Sequence, residues 1–509
     1  VTQDKSSHNP LHAEIAKGSI FIFVGQFLGS LARLGTNVAL TRLLGKGDYG
    51  LFSLGMTVFR LGNEFSLFGF QYGAQHFIPK YRASGRESLG KGFVWFSFCC
   101  TILLSVLVGA GLFVFARFIS TSLFEKEALT GVLRGLAVVL PLHVPMMLCA
   151  FLGIAFLKAH VNVTITDIVQ PAVFLALVAG LWVMHSSRGI SGVVFAFGLS
   201  VLLTLFAAAA LMRRMLRFGA TGQPAVFSRR QWGTYSGTVV LAGFFNMFLF
   251  QTDKLILGYF GTIEEIGTYN AAWKIYSFLG MSTVVFNTMF SPVISQVCAS
   301  GRLHELDSLT KLVGKWIFAV NAPLIMVIVF YPKSLMTVFG REFTSGYSVL
   351  MIFGVSWIAV SMLASTSGIL RMTGKQNVEF VLSVAMLLFS IVCGIILTRR
   401  YGMIGAAVSS TLCFVIIHAA KAALSYLYFR VNPLGRGTLL SFVLAIVSVG
   451  VSYGICAAAS RFITSELARA ATQTGTFLAV YAVLMLKFCL SKEDMIFVEV
   501  IRRKFARNA

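Results

Sequence analysis

Ionisable side chains stand where the surrounding sequence is almost wholly apolar: Arg33, Arg60 with Glu64, Arg134, Asp253 with Lys254, and Lys274. A charge at the centre of a bilayer costs about 2.5–3.5 kcal/mol on insertion scales, so residues of this kind face a protein interior or a wet cavity. Arg60 and Glu64 are four residues apart, hence on one helix face, with Asn63 beside them. They read either as a neutralised structural pair or as a cavity wall whose carboxylate tunes the arginine. Asn246 and Asp253, seven apart, and Asn270 and Lys274, four apart, put polar stripes on two more helices. Lys254, Arg134 and Lys274 lie toward outer helix ends, where a long side chain can also snorkel to headgroups. Asp167, Glu379, Lys421 and His418 read as interfacial.

Basic groups outnumber acidic ones in this set. A chamber lined by Arg33, Arg60, Lys254, Lys274 and Arg134, with Asn63, Asn246 and Asn270 as polar lining, would attract an anion. The planar guanidinium fork suits phosphate oxygens, and a pyrophosphate-linked lipid is such an anion.

The elements that position these groups are membrane helices. Of 509 residues, 57% are hydrophobic and 12% charged, against about 45–50% and about 25% in soluble domains. Apolar stretches of the roughly 20 residues needed to cross a hydrocarbon core recur along the chain about fourteen times, from 18–40 to 474–490. The fold class expected is all-α and polytopic. Connections of under roughly 20 residues leave no room for an extramembrane catalytic domain.

Net charge is +23. In a membrane chain that excess marks cytoplasmic loops rather than a nucleic-acid partner: inside loops and tails hold roughly 25 Lys and Arg, outside loops about 11. Both termini are expected in the cytoplasm, with Arg399 and Arg400 running against the trend. The N-terminal arm, 1–17, leads into an apolar run too long for a signal peptide. The eight cysteines form no CxxC pair or metal cluster. The stretch Gly85 to Gly92 imitates a phosphate loop, yet Gly92 stands where Ser or Thr must hold magnesium and no strand precedes it. With no HExxH and no GxSxG, the chain reads as a non-enzyme without cofactor or metal.

An internal repeat organises the helices, with four short matches in one order at an offset of about 212 to 217 residues. Gly45 to Tyr49-Gly50 answers Gly261 to Ile266-Gly267; Ala83-Ser-Gly-Arg86 answers Ala299-Ser-Gly-Arg302. Gly153 with Asn162 answers Gly368 with Asn377, and Gly189-Ile-Ser-Gly192 answers Gly402-Met-Ile-Gly405. An offset of six helices gives both copies one orientation, hence two pseudo-symmetric six-helix lobes about a midplane chamber. The expected organisation is an arm at 1–17, an N-lobe at 18–214, a cytoplasmic linker at 215–234 and a C-lobe at 235–430. Two unrepeated helices at 437–490 and a basic tail at 491–509 complete it. The repeated glycines suit tight reversals, because Gly tolerates φ > 0. Prolines 141, 145, 171, 292 and 323 are expected to kink their spans.

Leu43-Leu-Gly45 with Asp48-Tyr-Gly-Leu-Phe52, Thr252-Asp-Lys254 with Leu257-Gly258, and Tyr401-Gly-Met-Ile-Gly405 give the chain a family likeness. It resembles the polysaccharide transporter (Wzx-type flippase) branch of the multidrug/oligosaccharidyl-lipid/polysaccharide exporter superfamily. The resemblance implies alternating access and outward movement of a polyprenyl-pyrophosphate-linked oligosaccharide, in a cytoplasmic membrane, by a monomer. It implies cavity cations on the first two helices of each lobe, which Arg33, Arg60, Lys254 and Lys274 match by helix. It leaves coupling to a proton or sodium ion, for which Glu64 and Asp253 are the candidates. A drug/cation antiporter of the same superfamily is the alternative; it expects twelve helices and an acidic or apolar chamber.

Overall fold

A computed structural model of the chain describes residues 10–184, 189–216, 224–299, 303–373, 375–459 and 466–489. Among these residues the regular structure is all helical, with no strand. The helices are α1 (Pro10–Leu67), α2 (Phe70–Ala83), α3 (Glu87–Phe118), α4 (Leu129–Ala155), α5 (Ala159–Val163), α6 (Gln170–Val183) and α7 (Gly189–Leu216). They continue as α8 (Arg229–Leu249), α9 (Thr252–Phe260), α10 (Ile263–Ala299), α11 (Leu303–Phe330), α12 (Pro332–Thr337) and α13 (Tyr347–Leu363). The last are α14 (Ile369–Met372), α15 (Gln376–Phe429), α16 (Arg436–Ala459) and α17 (Glu466–Leu484).

Two of these are hairpins rather than single rods. α1 reverses at Gly45 (φ 69°) and α15 at Gly402 (φ 54°). α7 begins at Gly189 (φ 49°). A side chain at positive φ is strained, so these glycines of the repeat are where the sequence permits reversal within a residue. With α1 and α15 each counted as two crossings, and α8 with α9 as one broken crossing, the chain has about fourteen, as expected from hydropathy. Among the described residues nine helical stretches are long and apolar enough to span a membrane on that test alone. α3 carries Leu103, Leu107, Val114 and Phe118 outward, an apolar exterior that only a lipid solvent makes cheap.

The chain divides into two compact units, Val1–Gln251 and Thr252–Ala509. In the first, α4 is the central helix, packed against α1, α3 and α7. Leu136, Leu140, Val144 and Leu148 give it a wholly buried face. α8 packs on α1 and α2 of this unit. Trp232 of α8 is completely buried and donates its indole N–H to the Tyr81 hydroxyl at 2.9 Å, edge-on to Phe93. In the second unit α11 packs against α10, α13 and α16, and α16 against α17. Pro141 and Pro145 lie inside α4 and Pro323 inside α11, and Pro171 lies where the π-helical stretch Thr164–Val169 passes into α6 within one continuous helical span. Pro292 falls at a position whose side chain lies outside the description.

Candidate functional site

The first unit gathers its polar side chains around α1. Gly25 and Gly29, one helical turn apart and both buried, bring α1 against the segment Thr164–Val169, a π-helical stretch between α5 and α6. A Cβ on Gly29 would stand 2.9 Å from the Cα of Asp167 and nearer still to its carbonyl, so only glycine allows the approach. One turn along α1, Arg33 donates through Nη1 to Asp167 Oδ1 at 2.8 Å and through Nη2 to Ser30 Oγ at 2.9 Å. The Asp167 side chain is 16% exposed and the Arg33 side chain 44%, so the guanidinium is paired yet open on its other side.

Asn37 extends this line. Its amide donates to the Arg33 carbonyl at 2.6 Å, and its oxygen accepts from the Tyr49 hydroxyl at 3.0 Å, across the Gly45 reversal. Arg60 is exposed and lies within electrostatic range of Tyr49, Arg33 and His143. Asn63 is buried, with its oxygen 2.8 Å from His143 Nδ1 of α4. Arg60 and Glu64 do not pair: Glu64 Oε1 instead accepts from Gln71 Nε2 at 3.0 Å. Among the described residues Arg60 has no carboxylate partner. Asp167 is thus the carboxylate bonded to Arg33, and Arg60 stands beside this pair with no ion pair of its own among the described residues.

The second unit contains a separate polar centre. Asp253 Oδ2 accepts from the Tyr269 hydroxyl at 2.5 Å and from Ser410 Oγ at 3.2 Å, while Oδ1 accepts the Lys254 backbone N–H at 2.9 Å. Lys254 is buried, its ammonium 4.3 Å from the Trp273 ring centroid, a cation–π position rather than a snorkelled one. Trp273 begins an aromatic wall with Tyr276, Phe353 and Phe414. Asn270 is buried and donates to the Ile266 carbonyl at 3.0 Å; Lys274, one turn on, is half-buried.

Several sequence readings change. Asn246 and Asp253 do not share one helical face, because the helix breaks at Phe250 and Gln251; the Asn246 side chain lies outside the described residues. Asp167, read as interfacial, is the counterion of Arg33. Glu379 and Lys421, also read as interfacial, form an ion pair at 3.1 Å between the arms of α15 with both side chains largely buried, and His418 Nδ1 bonds the Phe414 carbonyl. Arg134 is exposed, its guanidinium 5.4 Å from the Phe113 ring. The Gly85 to Gly92 segment is a short turn at Gly85–Arg86 followed by the first turns of α3, where the Ser88 carbonyl accepts the Val226 N–H at 3.1 Å. Asn37, Tyr49, His143, Tyr269 and Ser410 were not among the expected site residues; each meets its partner through the fold rather than through a spacing a motif could carry.

Residues 15–298 match the family described as polysaccharide biosynthesis protein, and residues 239–396 match the MatE family. The chain is 22% identical over 447 residues to the probable low-salt glycan biosynthesis flippase Agl15 of Haloferax volcanii, covering 86% of this chain and 90% of that one. Its fold is similar to that of the lipid II flippase MurJ in an inward closed conformation (TM-score 0.70, 14% identity, 94% of this chain and 100% of that one). It is also similar to an inward-facing multidrug resistance MATE family transporter (TM-score 0.65, 13% identity, 81% and 98%).

Proposed function

Since the chain belongs to the polysaccharide biosynthesis protein family, we propose that it is a flippase carrying a polyprenyl-(pyro)phosphate-linked oligosaccharide from the inner to the outer leaflet. The relative of nearly equal length is named a glycan biosynthesis flippase, and the chain has the two unrepeated helices α16 and α17 after its repeat. The observation that carries the reading is the Arg33–Asp167–Arg60 cluster, an uncompensated guanidinium within a span where charge is expensive. An anionic headgroup supplies the compensation that the protein withholds. Two lobes, 18–214 and 235–430, opening alternately about a cationic chamber would move that headgroup while the prenyl chain stays in lipid. Lys254 and Lys274 are proposed as the second lobe's contribution, and Arg134 as a headgroup contact at the rim.

For coupling to a proton or sodium ion, Glu64 is the better candidate. Both oxygens of Asp253 already accept donors, whereas Glu64 accepts one amide and lies in the same unit as the arginines. We place the protein in the cytoplasmic membrane as a monomer with both termini cytoplasmic, following the Lys and Arg bias of its loops. A MATE-like antiporter is the second reading, favoured by the MatE match over 239–396; two arginines, Arg33 and Arg60, within apolar spans of the first unit stand against it.

Export of the lipid-linked glycan by cells that depend on this chain separates the two. Arg60→Gln should abolish export while the protein remains inserted and monodisperse. Undiminished export by Arg60→Gln and by Lys274→Gln alike removes the cationic chamber from the mechanism.

A further inference from the structure

We propose that Asp167 is a releasable counterion: it holds Arg33 in the empty protein and gives it up to a diphosphate ester that then bridges Arg33 and Arg60. The inference rests on the flippase reading for the chemical class of the ligand and adds a residue and an order of events to it.

Three features carry it. Arg33 uses one edge of its guanidinium on Asp167 and Ser30 and leaves the side chain 44% exposed, so a ligand can approach before the ion pair breaks. Arg60 lies close enough to feel Arg33 and forms no ion pair among the described residues, so Asp167 is the one carboxylate bonded to either guanidinium. A diphosphate ester takes the paired edge of Arg33 only if the Asp167 carboxylate bonded there withdraws; otherwise like charges on ligand and Asp167 repel at short range.

The local fold gives the carboxylate somewhere to go. Asp167 Oδ2 already lies 3.3 Å from Thr166 Oγ1, whose one proton is shared with the Asn162 carbonyl at 3.0 Å and can turn to the carboxylate. The Asp167 backbone is pressed against Gly29 and cannot follow the ligand, so release is a rotation of the side chain alone. The π-helical turn that carries Asp167 is a geometry common at functional positions, because its widened spacing re-aims one side chain without ending the helix. Arg33, once released, keeps its Ser30 bond and its place.

The test uses the purified full chain in lipid nanodiscs and farnesyl diphosphate as the probe. Asp167→Asn should bind the probe about tenfold tighter than wild type, while Arg33→Gln and Arg60→Gln each bind it at least about tenfold weaker. Asp167→Glu, which keeps the charge, should stay within about twofold. If Asp167→Asn fails to fold, the double variant Arg33→Gln/Asp167→Asn answers the question: it should bind more tightly than Arg33→Gln alone, since the repelling carboxylate is gone. Unchanged or weaker binding by folded Asp167→Asn, equal binding by the double variant and Arg33→Gln, or no binding by any variant overturns the proposal. Glycan export by wild type judges the flippase reading separately. Export without an effect of Asp167→Asn on binding leaves that reading and removes the counterion, and tightened binding without export does the reverse.

Discussion

Replacing Gly29 by alanine adds one methyl group at the tightest approach in the first unit, and its cost can be worked from the contact. The new Cβ would sit 2.9 Å from the Cα of Asp167, where two carbons need about 3.5–4.0 Å. α1 and the Thr164–Val169 segment must then part by about 0.6–1 Å, and more at the Asp167 carbonyl. That obstacle is backbone on both sides, so no rotamer change relieves it, and overpacking of this kind costs about 1–3 kcal/mol. The same displacement stretches the Arg33–Asp167 contact from 2.8 Å toward about 3.8 Å, beyond hydrogen-bond range. Thermal unfolding of the detergent-solubilised chain followed by size-exclusion fluorescence reads the first effect, and glycan export in cells reads the second. Gly111→Ala is the control, because a Cβ there meets nothing within 4 Å. In the middle of α3 that change should be neutral or stabilising by up to about 1 kcal/mol. Equal melting temperatures and equal export for Gly29→Ala and wild type would refute the reasoning.

Trp232→Ala should cost about 3–5 kcal/mol, as it empties a fully buried indole site, while Trp232→Phe should lose mainly the hydrogen bond to Tyr81, about 1 kcal/mol; thermal melts rank the two. Lys421→Met strands the Glu379 carboxylate in a largely buried place and should cost about 3–5 kcal/mol. Adding Glu379→Gln should recover most of that loss in the same melts, and a double variant no more stable than Lys421→Met would show that the pair does not hold the α15 arms.

Helix number and the glycine reversals were legible because both follow from local chemistry. Hydropathy runs need no partner to be recognised, and Gly45, Gly189 and Gly402 recur at the ends of those runs with the positive φ that only glycine takes cheaply. The pairing of the charges was not legible. Arg33 and Asp167 are 134 residues apart, and no local spacing connects them. The spacing that did suggest a pair, Arg60 with Glu64, gave way to Gln71, which reaches Glu64 across the break between α1 and α2. The face inferred for Asn246 and Asp253 presupposed an unbroken helix, and Phe250-Gln251 interrupts it. Candidate cations could thus be named from their cost in lipid, but their counterions depend on which helices the fold makes neighbours.

The two hairpins differ in where their arms are tied. In α15 the arms meet at Gly402 and again far below it, through Glu379 and Lys421, so the pair is a closed frame that can tilt only as one body. In α1 the cross-tie from Tyr49 to Asn37 sits within a few residues of Gly45, and the arms below are joined by no second bond of that kind among the described residues. Arg33 and Arg60 stand on opposite arms of that hairpin. A ligand gripping both arginines would itself supply the second tie, closing the α1 hairpin as Glu379 and Lys421 close α15.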